Sequence, residues 1–160
     1  MGTPAWLSLL ALLVQDLPPL SFFGFRAGMP VTQASAHIRS NHGTLSCRNS
    51  SDPRIRECTG SLPHQGVTGP LEVLISSVHD SAAVIVLSGR PPAELARTWI
   101  EDLTLDFGRP NHVAVPESQH TWQWIRRGRM LRVIVRIPRD SLEASVVLTH
   151  GPLLDGLRKN

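Results

Sequence analysis

The chain has no tyrosine, one lysine, two cysteines and few aromatic residues, which make up 5% of it. Lys159 is that lysine, so arginine supplies nearly all of the positive charge. Arginine bias beside abundant Ala, Gly and Pro is a mark of GC-rich coding, not of a function. The two cysteines form no Cys-x-x-Cys and stand at zinc-finger distance from no histidine, which excludes the common redox and zinc motifs. No apolar run approaches the roughly 20 residues of a membrane-spanning helix. A His-Glu-x-x-His helix, a Gly-x-Ser-x-Gly elbow, a phosphate-binding glycine loop and a dinucleotide fingerprint are all missing. The seven histidines (His37, His42, His64, His79, His112, His120 and His150) lack ligand spacing. No catalytic residue, metal or cofactor is therefore expected. A hydrolase, the weakest alternative, would have to use His79-Asp80, a pair that reads more simply as a turn. Glu101-Asp102 reads as the solvated face of a helix.

With 160 residues, 41% hydrophobic and 18% charged, the chain belongs with ordered globular proteins. That length suits one domain or a fused pair of small repeats, burying roughly two-thirds of its unfolded surface. The net charge of +3 is uneven. Residues 1–80 carry five basic and five acidic groups, and residues 81–160 carry eleven and eight. Residues 126–139 hold six arginines and no acid, the one basic cluster.

The clearest structural signal lies in residues 121–149. Strands are expected over 121–125, 130–137 and 143–149, joined by turns at Arg127-Gly128-Arg129 and Pro138-Arg139-Asp140-Ser141. Leu131, Val133, Val135 and Ile137 alternate with Arg132 and Arg136, which gives one buried and one wet face. Such a sheet needs helices to cover it.

The rest of the chain supplies them. Residues 6–14 form an apolar run of signal-peptide length, although no basic residue precedes it and no cleavage site closely follows. It reads as a signal or anchor, the alternative being a hydrophobic end of a cytosolic protein. Residues 15–24, with Pro18-Pro19, read as a linker. Pro30 opens a helix over residues 30–42, carried by Val31, Ala34 and Ile38 and closed by a left-handed Gly43. Cys47 and Cys58 flank the turn Asn49-Ser50-Ser51-Asp52-Pro53, so a cross-strand disulfide is expected, with buried free thiols as the alternative. Asn49-Ser50-Ser51 is also a glycosylation sequon, a triplet frequent by chance. Strands at 71–75 and 82–87 turn at His79-Asp80-Ser81. A second helix follows Pro91-Pro92, with Leu95, Trp99, Leu103 and Phe107 at four-residue spacing, and ends at Gly108. Residues 111–120 read as a loop, and 152–157 as a last short helix.

These elements make an α+β fold, a mostly antiparallel sheet with helices on one face, in two repeat-like halves. The divisions are a hydrophobic segment and linker at 1–24, a first half at 25–88 and a second at 89–160. Gly28-Met29-Pro30 and Gly89-Arg90-Pro91 open helices about 61 residues apart, the kind of period that marks tandem units.

Phe25-x-x-Gly28-Met29 leading into a helix, then Phe107-Gly108-x-Pro110 and Trp122-x-Trp124, resemble the tandem helix-plus-sheet envelope repeats of beta-lactamase inhibitory protein and SmpA-like domains. The match follows element order over residues 25–149. It departs in having no lipobox cysteine and no second cysteine pair, so no functional residue carries over. The resemblance implies a non-catalytic, protein-binding role outside the cytoplasm.

The expected protein is thus small, periplasmic or secreted, and non-enzymatic, with a protein-binding or envelope-associated role. Its candidate partner-binding residues are Trp122, Trp124, Arg126, Arg132 and Arg136. Arginine and tryptophan favour an acidic protein surface as partner, since both are frequent interface anchors. The alternative is a cytosolic module that binds single-stranded nucleic acid by phosphate pairing and base stacking. The plainest expectation is that the tryptophans are core and the arginines solubilise the opposite face.

Overall fold

The structure, a computed structural model, describes residues 17–137 and 141–159. The apolar run at 6–14 lies outside the described residues, as does most of the turn after Ile137. In chain order the elements are β1 (Ser21–Phe22), β2 (Phe25–Arg26), α1 (Val31–Ser40), β3 (Thr44–Asn49), β4 (Ile55–Leu62), β5 (Leu71–Val78) and β6 (Ser81–Gly89). Then come α2 (Ala93–Phe107), β7 (His112–Ala114), β8 (Gln119–Arg126), β9 (Arg129–Arg136), β10 (Glu143–His150) and α3 (Gly151–Arg158). The fold is α+β. β3 to β10 form one antiparallel sheet of eight strands in the order β3-β4-β5-β6-β10-β9-β8-β7. α1 is followed by the four strands β3 to β6 and α2 by the four strands β7 to β10, and β6 pairs with β10 at the middle of the sheet.

Tight turns set the register. His79 and Asp80, with φ of 48° and 60°, link β5 to β6; Arg127 and Gly128, with φ of 49° and 73°, link β8 to β9. Two consecutive left-handed residues give a hairpin turn whose twist matches the strands it joins. Arg126 is thereby fixed opposite Arg129, and every pair behind them follows.

The register builds a core row across seven strands. Cys47 faces Cys58, which faces Ile75; the row continues through Ile85, Leu148 and Leu131 to Trp124. Ile75, Ile85, Leu131 and Leu148 are all fully buried. Each such aliphatic side chain contributes about 1.5–3 kcal/mol by leaving water. On this face pack Val31, Ala34 and Ile38 of α1 and Ala96, Trp99 and Leu103 of α2. Their spacing of three and four residues is why one stripe of each helix meets the sheet. Cys47 and Cys58 are disulfide-bonded across directly paired positions, eleven residues apart in sequence.

Four expectations need correction. Residues 17–24 are not a linker: Leu20 and Phe22 are core residues, and β1 pairs with β2. The turn between those strands is held by His37, whose Nε2 lies 2.6 Å from the Phe23 carbonyl oxygen. The left-handed residue closing α1 is His42, with φ of 62°, not Gly43. Gly43 is demanded by close packing instead, since a Cβ there would lie 2.4 Å from the Ser61 carbonyl oxygen. The loop at 111–120 contains the edge strand β7, which pairs with β8. Ile137 does not continue the buried alternation: it lies beyond the end of β9 and is 51% exposed.

Candidate functional site

The two faces of the sheet are unlike. Residues that alternate with the core row form a second row through Thr59, Leu74, Val86, Val147, Arg132 and Gln123. None of these six belongs to the core cluster that holds α1 and α2. Val84, Met130, Ile134 and Ile125 share this open face. Leu74 is 43% exposed and Ile125 52%. An apolar stripe therefore crosses the middle of a sheet face that has no cover among the described residues, with Ser, Thr, Arg and Glu around it. Two adjoining open depressions of about 530 and 600 Å³ are both lined by Glu72 and Ser88, and the second also by Leu74 and Val86.

The sequence held a signal for this surface. Val84-Ile85-Val86-Leu87, Val133-Ile134-Val135 and Val146-Val147-Leu148 are apolar at both parities, the pattern of strands covered on two sides. Among the described residues, only one of those covers is present.

The five candidate residues do not form one surface. Trp122, Trp124 and Arg126 point to the helix-covered face; Arg132 and Arg136 point to the open face. Trp124 is 2% exposed and its indole N–H donates to the Gly108 carbonyl at 2.9 Å, tying the end of α2 to the sheet. Trp122 is half-buried and lines a cavity of about 230 Å³ with Ala96, Ile100, Val135 and Ile137. Arg126 donates to the carbonyls of Pro18 at 2.8 Å and Phe107 at 3.2 Å and lies 5.6 Å from the Phe107 ring centre. It is a staple that holds the residues before β1 against the last carbonyls of α2, where a cation is favoured. Base stacking on the tryptophans beside phosphate pairing at Arg132 and Arg136 is thus not available on one face.

The open-face arginines are oriented by neutral partners. Arg132 donates through Nε at 2.9 Å and Nη2 at 2.7 Å to Gln123 Oε1. Arg136 donates through Nε at 3.0 Å to Gln119 Oε1. A glutamine carbonyl fixes the guanidinium without cancelling its charge, so both groups keep donors for a carboxylate. Of the acids on this face, Glu57 accepts from Ser76 Oγ at 2.6 Å, Glu143 lies 3.6 Å from Arg90, and Glu72 lines both depressions.

The other chemistry-bearing residues do not converge. His79 and Asp80 occupy their tight turn, where Asp80 lies 3.2 Å from Arg56. Asp52 accepts from both the backbone N–H and the guanidinium of Arg54, which lowers its carboxyl to about 2. Burial pushes the His64 imidazole below its ordinary value, where it stacks on Phe23 with ring centres 4.2 Å apart. Among the described residues, no group of three or more His, Cys, Asp or Glu could hold a metal ion, and no helix is long and apolar enough to cross a membrane. Comparison of the chain with protein-family models, with curated proteins and with solved structures finds no match.

Proposed function

We propose that this is a small extracytoplasmic, non-enzymatic protein whose open sheet face docks an acidic protein surface. The supporting observation is the apolar stripe through Leu74, Val86 and Val147, on strands patterned for two covers and given one among the described residues. Exposed apolar area of this kind, rimmed by polar groups, marks interaction surfaces. Arg132 and Arg136 favour carboxylates at the rim, and their glutamine partners hold them ready. The Cys47–Cys58 bridge is compatible with an oxidising compartment, and with the signal-like run at 6–14 it supports a periplasmic or secreted location. The resemblance to envelope repeats implies the same kind of role.

Retention of native-host envelope and secreted proteins on the immobilised protein tests this. Specific retention is expected, lost with Leu74→Glu or Arg132→Glu and kept with Leu105→Glu, whose site is exposed on α2. Equal retention by all three variants, or retention of oligonucleotides instead, would overturn it. Compartment is tested separately by thiol labelling of protein from the native host. Cys47 and Cys58 are expected to label only after reduction.

A further inference from the structure

We propose that His150 is an acid-sensitive latch holding α3 onto the body of the protein. α3 is short and has no fully buried residue, so its attachment depends on its first turn. That turn is built from Thr149-His150-Gly151-Pro152, where a proline just inside the helix makes His150 the N-cap. Histidine is an unusual cap. Its Nδ1 accepts from the Leu153 N–H at 3.2 Å, which requires a neutral ring carrying its proton on Nε2. The Gly151 N–H donates to the Gly128 carbonyl at 2.9 Å, binding the same turn to the β8–β9 hairpin.

The ring is wedged in place. A Cβ on Gly28 would lie 2.7 Å from His150 Cδ2, so the chain entering α1 must be bare there for the imidazole to fit. The cationic neighbour on β9 opposes a second proton. Arg129 is the cross-strand partner of His150 on β9, and its positive charge acts on the ring. Arg127 lies in the adjoining turn. The first turn of α3 carries no acid, and Asp155 comes only later in the helix. β6, which α3 touches, begins Ser81-Ala82-Ala83 without charge. At the ends of the neighbouring elements, Arg26 and Asp80 are both exposed, and Asp80 is engaged by Arg56.

Protonation therefore does three things at one atom group. It converts the capping acceptor into a donor, it places a cation at the positive end of a helix, and it sets that cation beside Arg129. Burial and Arg129 both hold the imidazole below its ordinary 6.5. A depressed value means that the cap stabilises the fold above pH 6.5 and loses that effect as pH falls through the lower, folded value. Release of α3 exposes Leu153 and Leu154, which are half-buried when it is docked.

The test is amide hydrogen exchange of α3 in the whole protein, followed by NMR from pH 7.5 to 5 and corrected for intrinsic rates, beside the titration of the His150 ring. Protection of α3 amides is expected to fall roughly fivefold on the acid side, with the midpoint of the ring titration, as the loss of a cap implies. His150→Asn keeps a capping oxygen that does not titrate, so its α3 should hold steady across the range. Arg129→Gln should raise the midpoint of the wild-type transition. Wild-type α3 protection that ignores the His150 titration would overturn the proposal, and so would equal acid sensitivity in His150→Asn. If His150→Asn does not fold, the wild-type and Arg129→Gln titrations decide the matter alone.

Discussion

The two faces of the same sheet are made from the same strands and do opposite things. On one face Ile75, Ile85, Leu148 and Leu131 are sealed by α1, α2 and the β1–β2 hairpin. On the other, Leu74, Val86 and Val147 occupy the neighbouring row with no such cover among the described elements. The covered row supplies stability. The open row adds little stability in the isolated protein, so its apolar character needs another explanation, and docking provides one.

The largest effect should come from breaking the covered row. Ile85→Ala removes a fully buried side chain where β6 pairs with β10 and should destabilise the fold by about 2–5 kcal/mol in urea unfolding. Leu131→Ala should behave alike, because it lies in the same row. Next comes the bridge at one end of that row. Cys47→Ala with Cys58→Ala should lower stability by about 3 kcal/mol on loop entropy, read from the same unfolding curves, and reduction of the wild type should match it. Open-face substitutions should be smaller: Val86→Ala and Val147→Ala should each shift stability by about 1 kcal/mol or less while weakening partner binding. A loss at Val86 as large as that at Ile85 would erase the distinction between the faces.

The smallest effect is at a rim turn. Asp52 is held at about 2 against an ordinary 3.8 by its hydrogen bonds from Arg54. Its folded value is depressed, so its contribution is present above pH 3.8 and disappears as pH falls through about 2. An NMR titration of the Asp52 carboxyl should find its midpoint near 2, returning towards 3.8 in Arg54→Gln.

Much of the fold could be read from local pattern. Period-two alternation marked β8, β9 and β10, four-residue spacing marked α2, and Pro30 marked the start of α1. The cysteines were placed across a hairpin because a dense turn signal lay between them. What escaped depended on tertiary contact. β7 has three residues and exists only because β8 offers an edge. The β1–β2 hairpin is pinned by His37 from a different element, and Phe23 takes a φ of 48° there, which nothing nearby in sequence requests. Gly43 was assigned a left-handed role when its need was space against Ser61.

The candidate site was harder still. Tryptophans and arginines that look adjacent over residues 122–136 separate once the two-residue turn at Arg127-Gly128 fixes the register. Trp122, Trp124 and Arg126 then share one face, and Arg132 and Arg136 the other. Leu74, Val86 and Val147 were missed because an apolar residue in a central strand reads as core until the number of covers is known.

The most direct measurement places a photo-crosslinking residue on each side of the molecule in the native host. With p-benzoylphenylalanine in place of Val86, illumination should yield a discrete covalent adduct to another protein, and Arg132→Glu in the same chain should abolish it. The same probe in place of Leu105 should give no such adduct. Identical adducts from both positions, or none from position 86, would contradict a docking role for the open face.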